Sequence, residues 1–306
     1  MESSLKHQSS ILTTVRTYLE LTKFRIVALL VFTCVTAMFV AAQGVPDLTL
    51  MWWTIVGGTF AAGGSSALNQ YLDRDLDAKM TRTARRPIPS GRVAPVNALI
   101  FAIALVAWSA LVLGIFVNWL AAILALIGSV YYVVLYTIIL KRNTVVNIVI
   151  GGGAGAIPVL VGWAAVTGSV AIEAFVLFAI VFYWTPPHSW ALAILVNRDY
   201  AAANVPMMPV ARGEETTRIQ ILLYSIQLVL ITLLPGLSFI GDGPEMLGLF
   251  YLISALLLGI GMIRMSVLLL RVADKSMARR VYKYSSMYLA FLFMAMIIDR
   301  LIYVNL

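Results

Sequence analysis

Long apolar runs alternate with short charged stretches along the whole chain. A bilayer crossing needs roughly 20 mostly apolar residues. Runs of that order lie at roughly 24–42, 48–69, 94–116, 119–140, 145–167, 172–196, 219–240, 246–269 and 283–304. The pattern predicts an all-α integral membrane protein with nine transmembrane helices. The first run is too long for a secretory signal, lacks a small-residue cleavage site and leads directly into further spans. Residues 1–23 read as a short polar segment, a tail followed by an interfacial turn, and residues 24–306 as one membrane domain.

The charged positions set the orientation. Of the 22 Lys and Arg residues, all but Arg300 fall in alternate connections: the segment up to Arg25, the loop 70–93, Lys141–Arg142, 197–218 and 264–283. The intervening connections carry Asp47, Glu173, Asp242 and Glu245 and no base. This asymmetry places the N-terminus in the cytoplasm and, with nine spans, the C-terminus outside. The formal charge of +8 is therefore topology, and implies no nucleic-acid partner.

Composition narrows the chemistry. At 61% hydrophobic and 12% charged, the chain is far from the roughly one-half and one-quarter of a soluble domain, which excludes a soluble enzyme or a disordered segment. A single cysteine, Cys34, excludes a disulfide framework. With only His7 and His188 beside it, too few ligands remain for a zinc or iron–sulfur site. A metal here must sit on oxygen.

Oxygen ligands occur at one place above all. Asn69, Asp73 and Asp77 recur every four residues where the second run meets its loop, so a continuing helix lines them up on one face. Polar groups at the end of a span are costly unless used. Three such side chains do not cage Mg²⁺ alone, because that ion takes one or two carboxylates with waters and substrate phosphates. Arg82, Arg85 and Arg86 follow, and guanidinium suits phosphate oxygens. Acids and bases side by side make sense around a metal–diphosphate. Asp75, Arg85 and Arg92 read as solvated ion pairs. A second loop repeats the first at an offset of 124 residues: Asp73-Arg74-Asp75 against Asn197-Arg198-Asp199, each before a proline segment (Arg86-Pro87-Ile88-Pro89; Val205-Pro206-Met207-Met208-Pro209). A duplicated four-helix unit would set these loops face to face across a central cavity, with Asp199 as the opposing carboxylate for a second metal.

Three further features stand out. Pro186 and Pro187 interrupt the backbone ladder of the sixth span beside His188, the one histidine inside a run, which reads either as bonded to a freed carbonyl or as a contact for a large substrate. Gly151–Gly155 lacks the lysine and hydroxyl of a phosphate cradle and reads as close helix packing. Trp52, Trp53, Trp119 and Trp163 fall near span ends, as an aromatic belt would.

Three segments carry a resemblance. Asn69-x3-Asp73-x3-Asp77, Arg82-Thr83-x2-Arg86-Pro87-x-Pro89-x-Gly91 and Tyr136-Thr137-x2-Leu140-Lys141-Arg142 resemble the intramembrane aromatic prenyltransferase (UbiA) superfamily. Trp184-Thr-Pro-Pro-His188-x-Trp190-x-Leu192-Ala193, Asp199-Tyr200 and Val205-Pro206-Met207-x-Pro209-Val210 are similar to its haem-farnesylating branch. The resemblance spans roughly residues 20 to 300. It implies nine helices around a central cavity; a bacterial cytoplasmic membrane is the expectation from the sequence itself, in which no long Arg- and Ser-rich presequence is visible. It implies farnesyl diphosphate and haem b as substrates, with haem O as product. Two Mg²⁺ ions would be held by Asn69, Asp73, Asp77 and Asp199. Arg82, Arg86 and Lys141 would stabilise departing diphosphate, with Asn197 and Tyr136 at the substrate and His188 orienting the haem. Association with haem A synthase or terminal-oxidase assembly is a further implication. The second metal motif departs from the superfamily, keeping only Asp199 between Asn197 and Ala201, and Asn204 stands where the branch commonly has glycine. The rival readings are a prenyltransferase for a quinone or chlorophyll precursor, a transporter, whose charges should run through the membrane rather than cluster at one margin, and a non-catalytic haem-handling factor, which would tolerate loss of Asp73.

Overall fold

The computed structural model describes residues 13–237 and 246–304. His7, Asp242 and Glu245 lie outside the described residues. A helix over 13–22, α1, leads to the bundle, so helix stands where the sequence suggested an interfacial turn. The following helices are α2 (Phe24–Ala41), α3 (Leu48–Leu72), the short α4 (Arg74–Lys79) and α5 (Pro95–Phe116). Then come α6 (Trp119–Asn143), α7 (Asn147–Thr167), α8 (Ile172–Leu195) and the short α9 (Asn197–Ala202). The chain ends with α10 (Met208–Leu237), α11 (Leu249–Val272) and α12 (Lys275–Val304).

Among the described residues, each long helix packs on the next, and α12 returns to pack on α2. The bundle thus closes on itself. Contacts of α2 with α7 and of α8 with α12 knit its interior. The largest buried cluster joins α2, α7, α8, α10, α11 and α12 around Trp163, Tyr251, Tyr288 and Phe293. Trp163 is therefore a core residue, whereas Trp52 and Trp119 are exposed as a belt requires. Leucine, isoleucine and valine cover the outward faces, the arrangement expected where lipid is the solvent.

Among the described residues, seven helices are long and apolar enough to cross a membrane: α2, α5, α6, α7, α10, α11 and α12. The other two long helices, α3 with 25 residues and α8 with 24, match them in length. They are less apolar because they carry Ser65, Ser66, Asn69 and Gln70 in one case and Thr185, Pro186, Pro187, His188 and Ser189 in the other. These are the two helices that end in the repeated loops.

Local structure departs from the sequence pattern in three places. α8 runs unbroken through Pro186 and Pro187. α10 starts earlier than the apolar run and bends at Gly213, whose φ of 82° and ψ of 162° suit only glycine. The stretch Tyr131–Leu140 of α6 is π-helical, a form that tends to mark functional positions. At 3.6 residues per turn, residues 132 and 141 would point about 180° apart. The wider turn brings Tyr132, Thr137 and Lys141 to one side.

Candidate active site

The acidic stripe is built as its spacing predicts. The N–H of Asp73 donates to the Asn69 carbonyl at 2.9 Å, and that of Asp77 to the Asp73 carbonyl at 2.8 Å. The helical ladder therefore passes the break at Asp73 and keeps the three residues in register. All are buried, with exposures of 3, 0 and 2%.

Buried carboxylates need partners, and bases from other segments supply them. Lys141 Nζ donates to Asp73 Oδ2, and Arg142 Nη2 lies 3.4 Å from Oδ1. Arg86 Nη1 donates to both oxygens of Asp77, at 2.8 and 2.7 Å. Asn69 links the set, donating from Nδ2 to Asp73 Oδ2 at 2.8 Å and to Thr137 Oγ1 at 3.1 Å. Tyr136 stacks on Tyr132 with centroids 5.6 Å apart.

The second loop meets the first. The backbone N–H of Arg82 donates to Asp199 Oδ2 at 3.4 Å, across 117 residues of sequence. Both loops have one construction: a long helix, one residue out of helical geometry (Asp73 or Val196), then a six-residue helix. Asn204 takes φ 54°, the left-handed conformation that Asn tolerates better than most residues, so it serves the turn that glycine would. Asn197 Oδ1 is buried without a hydrogen-bond partner, although its amide oxygen is a good acceptor.

Sequence reasoning missed Lys23. The sequence marked it only as the last residue of the polar N-terminal segment and one of its bases. Its backbone is left-handed, with φ 53°, and its Nζ donates to Asn69 Oδ1 at 2.7 Å and to the Tyr132 hydroxyl at 3.4 Å. Burial, aided by Arg86 and Lys141, pulls its ammonium down to about 7. Below Lys23 a cavity of about 180 Å³ opens between α2, α3, α6 and α7. Its lining on α3 runs from Thr54 to Ser66, about 18 Å along the axis. Gly58 and Gly155 have nothing within 4 Å of an added Cβ, so they open this space. The neighbouring glycines behave as packing residues: a Cβ on Gly151 would meet Tyr136 at 2.3 Å, and one on Gly153 would meet the Tyr131 hydroxyl at 2.8 Å.

Asp75 is peripheral. Arg142 holds it with two hydrogen bonds of 2.8 and 2.9 Å, and this guanidinium lowers its carboxyl below the usual range. Arg92 pairs with Glu20 at 2.7 Å. Pairs this exposed contribute no more than about 1 kcal/mol. Asp75→Asn should therefore leave activity within about fivefold of the parent in a turnover assay.

His188 stands apart from the acids, deeper on α8. Its ring stacks on Trp184 at 4.3 Å and on Tyr282 at 4.6 Å. Its Nδ1 lies 2.9 Å from Ser285 Oγ. The partner is thus a hydroxyl of α12, and the alternative of a carbonyl freed by proline does not apply.

Among the described residues, no three Asp, Glu, His or Cys residues converge closely enough to hold a metal ion. Asp73 and Asp77 are instead balanced by Lys141, Arg142 and Arg86, bases that an incoming polyanion could draw away. An ion bound here would share its coordination with that anion, as Mg²⁺ commonly does. The orphaned Asn197 oxygen, the carboxylates and the hard-oxygen character of the whole set fit such an ion.

The model of the UbiA prenyltransferase family matches residues 30–295. Proteins named protoheme IX farnesyltransferase are 50% identical in Roseiflexus sp. strain RS-1, over 94% of this chain and 52% of that protein, and 49% in Chloroflexus aurantiacus, over 98% and 50%. The chain thus spans about half the length of these relatives. The protein of that name from Microcystis aeruginosa is 44% identical over 97% of this chain and 93% of its own length. Among solved structures, a digeranylgeranylglyceryl phosphate synthase superposes with a TM-score of 0.76 at 19% identity, over 94% of this chain and 99% of its own. A UbiA homolog from Archaeoglobus fulgidus bound to DMAPP and Mg²⁺ gives 0.64 at 16%, over 92% and 99%. At these identities the likeness concerns the fold alone.

Proposed function

Since the chain belongs to the UbiA prenyltransferase family, a family of transferases, we propose that it moves farnesyl from farnesyl diphosphate to a vinyl group of haem b. The product is haem O, a precursor for haem A synthase or terminal-oxidase assembly. The observation carrying this reading is the meeting of two distant carboxylate loops, Arg82 N–H on Asp199, above an apolar cavity. Its relatives' printed name supplies the acceptor. In this reading α3 and α8 also cross the bilayer of a bacterial cytoplasmic membrane, residues 24–306 act as one unit, and the charged end faces the cytoplasm.

Asp73, Asp77 and Asn69 on one side, and Asp199 with Asn197 on the other, would hold Mg²⁺, two ions in all. The bound Mg²⁺ supplies neutralising charge to the diphosphate oxygens. Arg82, Arg86 and Lys141 bind the remaining oxygens, with Lys23 at the mouth of the cavity. Fixed cations in a dry pocket stabilise charge that develops on a leaving group. The carbon–oxygen bond of the farnesyl ester breaks, and its electron pair departs with diphosphate. The cavity walls keep the allylic cation from premature contact with water. The vinyl π electrons then form the new carbon–carbon bond. Water adds its hydroxyl to the resulting cation, and its proton leaves.

Stripping divalent ions from purified protein should reduce turnover to background, and Mg²⁺ should restore it. Full turnover in metal-free protein would contradict this reading. Lys23→Met should raise the KM for farnesyl diphosphate about 10-fold, the equivalent of one charge-assisted hydrogen bond, with the KM for haem unchanged.

A further inference from the structure

We propose that Ser285 fixes the tautomer of His188 so that the Nε2 lone pair is offered as an axial ligand to the iron of the haem acceptor. The inference rests on the haem-farnesylation reading and adds to it how the acceptor is gripped.

The tautomer follows from counting protons. A serine hydroxyl has one to give. Ser285 Oγ gives it to the Tyr282 carbonyl at 2.9 Å. With that proton assigned to the carbonyl, which can only accept, the hydroxyl accepts toward His188 Nδ1, also at 2.9 Å, and Nδ1 carries the hydrogen in the proposed tautomer. Among the described residues, no carboxylate pairs with the ring. A ring packed between two aromatic faces inside the bundle is neutral, because nothing compensates a second proton. Nε2 then holds a lone pair.

This nitrogen is unused. No described residue hydrogen-bonds to it, and it is absent from the fully buried atoms lacking partners, so the protein does not seal it in. A merely structural histidine would have both nitrogens satisfied. The ring is also locked. Trp184 and Tyr282 stack on it, and Trp184 Nε1 donates to the Ser285 carbonyl at 2.7 Å. One residue of α12 thus orients both aromatic rings of α8. Ligating histidines are held in this way, with the second nitrogen donating to a fixed acceptor. The choice between iron and propionate follows from the same proton. A propionate carboxylate only accepts hydrogen bonds and would require Nε2–H, whereas a lone pair suits iron. His188 lies seven positions inside Leu195, about 10 Å from the end of α8 that leads into α9 and Asp199, so the macrocycle would sit below the diphosphate rather than in its place.

The test uses the full chain in detergent. It contains two histidines, so ¹⁵N-histidine labelling of a His7→Ala variant leaves a single ring to read. The expected spectrum is the neutral Nδ1–H form, with Ser285→Ala mixing the tautomers and Ser285→Thr preserving the parent form. Ferric haem b, added without farnesyl diphosphate, should give an imidazole-ligated spectrum. His188→Ala should lose it, and free imidazole should restore it. Ser285→Ala should weaken haem affinity about 10-fold. A parent Nε2–H tautomer, or a haem spectrum indifferent to His188→Ala, overturns the proposal. Farnesylation of haem by the parent is scored separately. If it persists while the spectrum ignores His188, ligation falls and the proposed function stands; if it fails, the functional reading itself falls.

Discussion

Asp73→Asn should lower farnesyl transfer by at least about 1000-fold, the upper range for removing one preorganised electrostatic element. Asp73 is fully buried, holds Lys141, and is bridged through Asn69 to Thr137 and Lys23. The substitution also leaves the partly buried Lys141 ammonium without its carboxylate, which costs at most about 3 kcal/mol of stability. The two effects separate in a double variant. Asp73→Asn combined with Lys141→Met should recover most of the lost thermal stability and none of the turnover. Recovery of turnover would mean that Asp73 serves only to neutralise Lys141.

The second large effect concerns the cavity. Gly58→Leu and Gly155→Leu place bulk where an added Cβ meets nothing within 4 Å, and both raise helix propensity, so the fold should survive. Farnesyl transfer should fall about 10- to 100-fold, as 1–3 kcal/mol of overpacking against the isoprenoid chain predicts. A five-carbon donor, dimethylallyl diphosphate, should be used as well as by the parent. Gly162→Ala is the contrasting control: its methyl would lie 2.0 Å from the Cys34 carbonyl oxygen and should damage the fold itself. Equal loss with long and short donors, in folded protein, would remove the cavity from the account.

Much of this architecture was legible because lipid imposes simple rules. Spans must be apolar, helical and of fixed length, and the charged loops announce one end. The stripe at 69, 73 and 77 needed only the helical period. The edges were harder. α12 begins at Lys275 and α10 at Met208, both ahead of their apolar runs, because a helix continues into the polar zone once its core is anchored. Lys23 and Ser285 were invisible for a different reason. Each acts through a partner more than 45 residues away, and neither residue type marks that role locally. The π-helical turn of α6 leaves no trace in residue spacing, yet it brings Tyr132 and Lys141 to one side. His188 drew notice through its prolines, but its actual partner came from another helix.

The central claim is that two loops, one bearing Asp73 and Asp77 and the other Asp199, act together on one diphosphate while haem b waits beneath. Its most direct measurement is mass spectrometry of the porphyrin after purified protein is incubated with haem b, farnesyl diphosphate and Mg²⁺. The account predicts a product heavier than haem b by one farnesyl group and one hydroxyl, formed by the parent and absent with both Asp73→Asn and Asp199→Asn. Unchanged haem b from folded parent protein, or farnesylated haem at the parent rate from either variant, would contradict it.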